Sequence, residues 1–268
     1  MIGIFDSGLG GLTIFKEVEE RLPQYDYLYL GDNARAPYGD HSQETILKYT
    51  TEAVEYLFKQ GCQLVLLACN TASAEALRAL QQHWLPKHYP GRNILGVIRP
   101  LAEAAVETSK NKRIAVLGTR STIGSHAYRR EIKKLNSHIT VMEQACRLLV
   151  PLIEEGIEHK TASKMILKGY LRPVKSYNPD TVILGCTHYG VMSKDISRYF
   201  GSKASVLDSG KIIAEKFAEY LQRHPEYERK LLRSGQRRFL TTEHGEMMGS
   251  LVEKFLGRHV SVEQVPLG

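Results

Sequence analysis

Two similar α/β domains, each an open and largely parallel sheet with the active site in the cleft between them, are the fold this sequence predicts, on three observations. Strand-like apolar runs alternate with helix-like stripes along the chain, as they do where parallel strands are joined by crossover helices. Two segments match: Leu64-Val65-Leu66-Leu67-Ala68-Cys69-Asn70-Thr71 and Thr181-Val182-Ile183-Leu184-Gly185-Cys186-Thr187-His188 each end an apolar run in a small residue, a cysteine and hydrogen-bonding side chains. The spacing repeats too, with Asp6 and Cys69 63 positions apart and Thr119 and Cys186 67 apart.

The elements follow in order. Residues 2–5 read as a strand, Asp6-Ser7-Gly8-Leu9-Gly10-Gly11 as a turn, and the next stretch as a helix running into Leu22 and stopped by Pro23. A strand at 27–30 leads into the loop from Gly31 to Gly39, and a helix through Leu47, Val54 and Leu57 leads to the strand before Cys69. Leu77, Leu80 and Trp84 form an apolar stripe that predicts a helix after Cys69. The second half restarts with a strand at 113–117, the turn Gly118-Thr119-Arg120-Ser121-Thr122, and the strand before Cys186, followed by a stripe of Met192, Ile196 and Tyr199. A strand at 204–207, a cap at Asp208, and Ile213, Phe217 and Leu221 on one helix face come next. Strands at 238–241 and 259–265, around a helix through Leu251 and Phe255, are expected to complete the first sheet. The division expected is 1–95 with 208–268 as one domain and 96–207 as the other.

Composition narrows the function. A chain of 268 residues, 43% hydrophobic, can bury cores in two such domains. Asp6 comes too early for a signal-peptide core, and no apolar run approaches the roughly 20 residues of a membrane span, so a cytoplasmic location is expected. The four cysteines, Cys62, Cys69, Cys146 and Cys186, form no CxxC pair, which argues against a structural zinc, and no metal site is expected. A net charge of +7 allows steering of an anionic substrate and leaves weak, non-specific nucleic-acid binding open. Its densest stretch, 223–238, reads as a solvated helix face.

The chemistry rests on the strand ends, because open α/β sheets bind ligands beyond the carboxyl ends of their strands. Asp6, Cys69, Thr119 and Cys186 all stand there. Two thiols on facing walls suit removal of a proton from one face of a carbon and its return to the other. A helix starting just after each thiol is expected to favour the thiolate through its dipole and free N–H groups. His188 and Asp6 are the ionisable groups nearest to Cys186 and Cys69 in the expected arrangement, while Ser7, Asn70, Thr71 and Thr187 suit a ligand with carboxylate and ammonium groups. Gly8-Leu9-Gly10-Gly11 does not provide G-x-G-x-x-G, so a tight turn near a small anion is expected rather than a nucleotide site.

These residues resemble the glutamate racemases of the aspartate/glutamate racemase superfamily. The matching segments are residues 6–11, Gly31-Asp32, Pro37-Tyr38-Gly39, residues 68–73, Gly118-Thr119 with Thr122, residues 150–155, and Gly185-Cys186-Thr187-His188-Tyr189. The resemblance implies an isomerase without pyridoxal phosphate or any other cofactor, with glutamate as its substrate, supplying D-glutamate for peptidoglycan. It places acid and base on Cys69 and Cys186, auxiliary roles on Asp6, Asp32, Glu154 and His188, and substrate contacts on Ser7, Tyr38, Gly39, Asn70, Thr71, Thr119, Thr122 and Thr187, with Asp6 and His188 shared. A homodimer is compatible with it. His188 favours glutamate over aspartate within the superfamily, and Arg147, where relatives usually carry proline, departs from the pattern. The alternatives kept are a cysteine-nucleophile hydrolase, with one activated thiol, and a racemase of another acidic amino acid such as aspartate.

Overall fold

The structure, a computed structural model, describes residues 1–243, 252–253 and 255–267. The first sheet has six parallel strands in the order β10-β9-β2-β1-β3-β4, formed by β1 (Ile2–Asp6), β2 (Tyr27–Gly31), β3 (Leu64–Leu67), β4 (Asn93–Gly96), β9 (Arg237–Thr241) and β10 (Val262–Gln264). The second has four, β6-β5-β7-β8, from β5 (Arg113–Gly118), β6 (Thr140–Ala145), β7 (Thr181–Gly185) and β8 (Ser205–Leu207). The order β2-β1-β3-β4 in one sheet is repeated as β6-β5-β7-β8 in the other. In both, the chain runs to one side of its first strand and then to the other, which opens a crevice at the carboxyl ends of the two middle strands. Those strands are β1 and β3 in one sheet and β5 and β7 in the other, the strands that lead into Asp6, Cys69, Thr119 and Cys186.

Helices cover the sheets. In the first half these are α1 (Leu12–Arg21), α2 (Gln43–Lys59), α3 (Asn70–Glu75), α4 (Leu77–Ala79) and α5 (Leu85–His88). Then come α6 (Ile98–Thr108), α7 (Arg120–Gly124), α8 (Ala127–Leu135), α9 (Leu149–Glu154), α10 (Thr161–Tyr177), α11 (Ser193–Phe200), α12 (Ser209–Arg223) and α13 (Pro225–Glu228). Starts are fixed by side-chain caps: Ser42 accepts from Thr45 N, Thr119 from Thr122 N and Asp208 from Gly210 N. Ile213, Phe217 and Leu221 of α12 lie with Leu101 and Ala105 of α6 in one core that reaches Ile2 and Ile4 of the first sheet and Ile114 and Ile183 of the second. That shared core ties the two sheets together. Separate clusters fill the far face of each sheet.

The structure differs from the sequence reading in several places. The stripe of Leu77, Leu80 and Trp84 does face a core, but the helix carrying it is broken into α3, α4, a π-helical turn over Leu80–Trp84, and α5. β4 and β6 are not among the expected strands, because Asn93-Ile94-Leu95-Gly96 is short and Thr140-Val141-Met142-Glu143-Gln144-Ala145 is a half-buried edge. The strand expected at 259–265 is limited to Val262–Gln264. Leu251, on the helix expected beside it, lies outside the described residues. The basic stretch 223–238 is not one helix face: it leaves α12, passes through α13 and enters β9, and Arg233, Arg237 and Arg238 pair with Glu228, Glu19 and Glu263. Among the described residues, no helix is long and apolar enough to cross a membrane.

Candidate active site

The first wall is built where β1 and β3 end side by side. Asp6 is wholly buried and accepts a hydrogen bond from Gly8 N at 3.1 Å, which turns the chain sharply after the strand. Tyr29 Oη donates to Gly8 O at 2.9 Å and holds the turn from beneath. Gly10 then passes against the opposite half: a Cβ there would stand 2.4 Å from Thr187 Oγ1 and 2.7 Å from His188 Nδ1, so the close approach requires glycine. Cys69 caps α3, its sulfur accepting from Ala72 N at 3.4 Å and lying 3.3 Å from Ser7 Oγ.

These surroundings do not favour the Cys69 thiolate at rest. Burial and then the charge of Asp6 push its thiol up to about 12, against hydrogen bonds from Ser7 and Ala72. The expected gain from a helix start is outweighed, since α3 has only 6 residues and desolvation acts on the whole sulfur. Burial raises the Asp6 carboxyl above the usual range as well, against the opposing charge of His188.

The second wall follows β7. Cys186 leads into a 3-10 segment, Thr187–Met192, and the regular helix starts only at Ser193. The helix expected directly after this thiol is therefore displaced by six residues. His188 instead supplies the local charge: its Nδ1 is 3.9 Å from Cys186 Sγ and its Nε2 is 3.1 Å from Glu154 Oε1. Burial alone would lower the imidazole, but the hydrogen bonds with Cys186 and Glu154 and the charge of Asp6 carry it up to about 10. Thr187 Oγ1 donates to Asp6 Oδ1 at 3.4 Å, linking the walls beneath the thiols.

A third link is made of threonines. Thr71 Oγ1 lies 3.0 Å from Thr119 Oγ1 and 3.2 Å from Thr122 Oγ1, and Thr119 donates to Thr122 at 3.0 Å. Between the walls lies a cavity of about 30 Å³. Ser7, Tyr38, Gly39, Cys69, Asn70 and Thr71 line it from one half, and Thr119, Glu154, Cys186, Thr187 and His188 from the other. That volume admits one or two water molecules.

Three sequence candidates do not line the cavity. Asp6 lies under the first turn, and Thr122 stands behind Thr71 and Thr119. Asp32 is buried behind Tyr38, whose hydroxyl donates to it, and it also accepts from Arg35 Nε at 2.7 Å and Thr242 Oγ1 at 2.9 Å. Asp32 thereby aims the Tyr38 ring without facing the cavity. Ala36, Pro37 and Val150 line it in addition, and Arg35, which joins Asp32 to Glu52, carried no signal in the sequence. Among the described residues, no group of three or more His, Cys, Asp or Glu side chains could hold a metal ion. Around Arg147, Cys146 is buried, Arg147 and Leu148 are exposed, and α9 begins at Leu149.

Comparison with known proteins gives a consistent result. The profile of the Asp/Glu/hydantoin racemase family matches residues 11–217. The chain is 39% identical to the glutamate racemase of Persephonella marina, over 99% of this chain and 97% of that protein. A glutamate racemase isoform of Bacillus anthracis has a similar structure, with a TM-score of 0.91, 33% identity, and coverage of 100% of this chain and 97% of that one. The glutamate racemase of Francisella tularensis, solved with D-glutamate, gives 0.88 and 31%, covering 99% and 97%.

Proposed function

The chain belongs to the Asp/Glu/hydantoin racemase family, and on that premise we propose that it interconverts L- and D-glutamate by a two-base mechanism using Cys69 and Cys186. One observation carries the mechanism: the two cysteines close equivalent crevices of two sheets and line the same cavity. Glutamate as the substrate is supported by the glutamate racemases that resemble the chain along its length.

In one direction Cys186, as thiolate, takes the α-proton of L-glutamate. The electron pair left on the carbon moves into the adjacent carboxylate, and the Cys69 thiol returns a proton to the opposite face. The reverse direction exchanges the roles, and nothing is oxidised or reduced. His188 places positive charge 3.9 Å from the Cys186 sulfur, where negative charge forms each time that thiol gives up its proton. Ser7 and the Ala72 amide do the corresponding work at Cys69, and a substrate ammonium between the walls offsets the Asp6 charge. Asn70 and Thr71 offer hydrogen-bond donors to the carboxylates, Thr119 and Thr187 line the cavity beside them, and Tyr38 and Gly39 close the rim.

A cavity of about 30 Å³ is too small for an amino acid, so admission of substrate requires the walls to part. In this reading the boundaries between the two halves fall near 95–96 and 207–208. The enzyme acts in the cytoplasm and supplies D-glutamate for peptidoglycan.

Circular dichroism of glutamate incubated with metal-stripped protein tests the activity, and absence of racemisation overturns the reading. The division of labour is tested by elimination from an analogue with a leaving group on the β-carbon, which needs only the first proton abstraction. Cys69→Ser keeps turnover of the L analogue and loses the D analogue, and Cys186→Ser does the reverse. Racemisation falls by orders of magnitude in both, because a serine hydroxyl is a far weaker acid than a thiol. A variant that processes both analogues equally refutes the assignment.

A further inference from the structure

The side-chain amide of Asn70, directly after Cys69, is held from one end only. Its Oδ1 accepts a 2.5 Å hydrogen bond from Tyr128 Oη, while its Nδ2 is buried with no partner among the described residues. A buried N–H group left without an acceptor is destabilising, and Asn70, 2% exposed, lines the cavity. Such a donor is explained if an acceptor arrives there during turnover.

Tyr128 comes from the other half of the molecule, near the start of α8, and is wholly buried. Burial, with the charge of Cys186, raises its phenol well above the usual range, so the hydroxyl stays protonated and donates. A donating hydroxyl takes the amide oxygen rather than the nitrogen, and this turns Nδ2 away from the ring. The ring edge lies over Gly185, where a Cβ would stand 3.1 Å from Tyr128 Cε2 and 3.0 Å from Leu117 O. One side chain thus touches the residue after Cys69 and the residue before Cys186.

We propose that Tyr128 is a positioning residue that reaches across the two halves to hold the Asn70 amide with Nδ2 presented to the cavity, as the donor to a carboxylate of the amino-acid substrate. The inference rests on the racemase reading above and deepens it. Tyr128 touches no reacting atom and acts through Asn70.

The test is a kinetic cycle in both directions with Tyr128→Phe, which keeps the ring over Gly185, with Asn70→Ala, and with the double variant. Tyr128→Phe raises KM for L- and D-glutamate about tenfold and leaves kcat within about threefold, as loss of a contact made equally in ground and transition states does. The double variant is no worse than Asn70→Ala alone, because the hydroxyl works through the amide. A purely structural role would lower the melting temperature and leave KM unmoved. The wild-type protein gives a second readout: the ¹⁵N–¹H pair of the Asn70 side chain shifts on addition of D-glutamate. A wild-type protein that does not racemise glutamate overturns the function and this inference with it. If the wild type is active, an unchanged KM in Tyr128→Phe, effects that multiply in the double variant, or an Asn70 pair that does not move overturns this inference alone.

Discussion

Glu154→Gln isolates the charge that supports His188, since glutamine keeps the size and one acceptor oxygen and removes only the charge. At the 3.1 Å separation of His188 Nε2 and Glu154 Oε1, two unit charges attract by about 1.3 kcal/mol at the dielectric of water and about 5 kcal/mol at an effective value of about 20. The Glu154 side chain is 47% exposed and that of His188 8%, so solvent screens the pair and the lower figure applies. One pKa unit corresponds to about 1.4 kcal/mol, and His188 is expected to fall from about 10 by about one unit. The hydrogen bond with Cys186 and the charge of Asp6 remain and keep it above its usual value. The assay is an NMR titration of the His188 ring, paired with thermal melts across the same pH range. His188 is raised on folding, so its imidazolium contributes stability that is fully present below about 6.5 and is lost as pH rises through about 10. In Glu154→Gln that loss arrives about one unit earlier. A midpoint identical to that of the wild type refutes the electrostatic argument, and a fall to the usual histidine value shows that Cys186 and Asp6 contribute nothing.

Two other perturbations follow from the same chemistry. Asp6→Asn removes the charge that, after burial, raises the Cys69 thiol, so the midpoint of Cys69 alkylation, followed by peptide mass spectrometry, drops below about 12; an unmoved midpoint leaves burial as the only cause. Asp26→Ala deletes a buried acceptor of hydrogen bonds from Ser234 N and Ser234 Oγ at 2.7 Å and Gln236 N at 3.1 Å. It costs roughly 2–4 kcal/mol in urea unfolding near neutral pH. Burial opposes the Asp26 charge but these hydrogen bonds outweigh it, so the carboxyl sits below the usual range and its contribution is present above that range and lost on acidification. The wild type and Asp26→Ala therefore converge in stability as the medium becomes acidic, and a gap independent of pH contradicts the assignment.

Much of this site was legible in the sequence because the signals that mark it are local. An apolar run, a small residue and a hydrogen-bonding turn put Asp6, Cys69, Thr119 and Cys186 at strand ends, and the rule that ligands bind beyond those ends brings them together. The stripe of Ile213, Phe217 and Leu221 likewise announced the buried face of α12. Signals fail where burial is only partial on both faces or the chain leaves the regular period, as in β6 and in the π-helical turn after α4.

What the tertiary structure alone decided is the electrical state of the site and the partners that cross it. A helix start after Cys69 is written in neighbouring residues, and it favours the thiolate. The desolvation that pushes Cys69 the other way depends on every atom around the sulfur, and Asp6, which adds to it, is 63 positions away in the chain. The pairing of His188 with Glu154, of Thr71 with Thr119 and of Asn70 with Tyr128 joins residues 34, 48 and 58 positions apart. Periodicity and caps act over one or two turns of chain, whereas dielectric, charge and hydrogen-bond geometry act through space, and only folding fixes those distances.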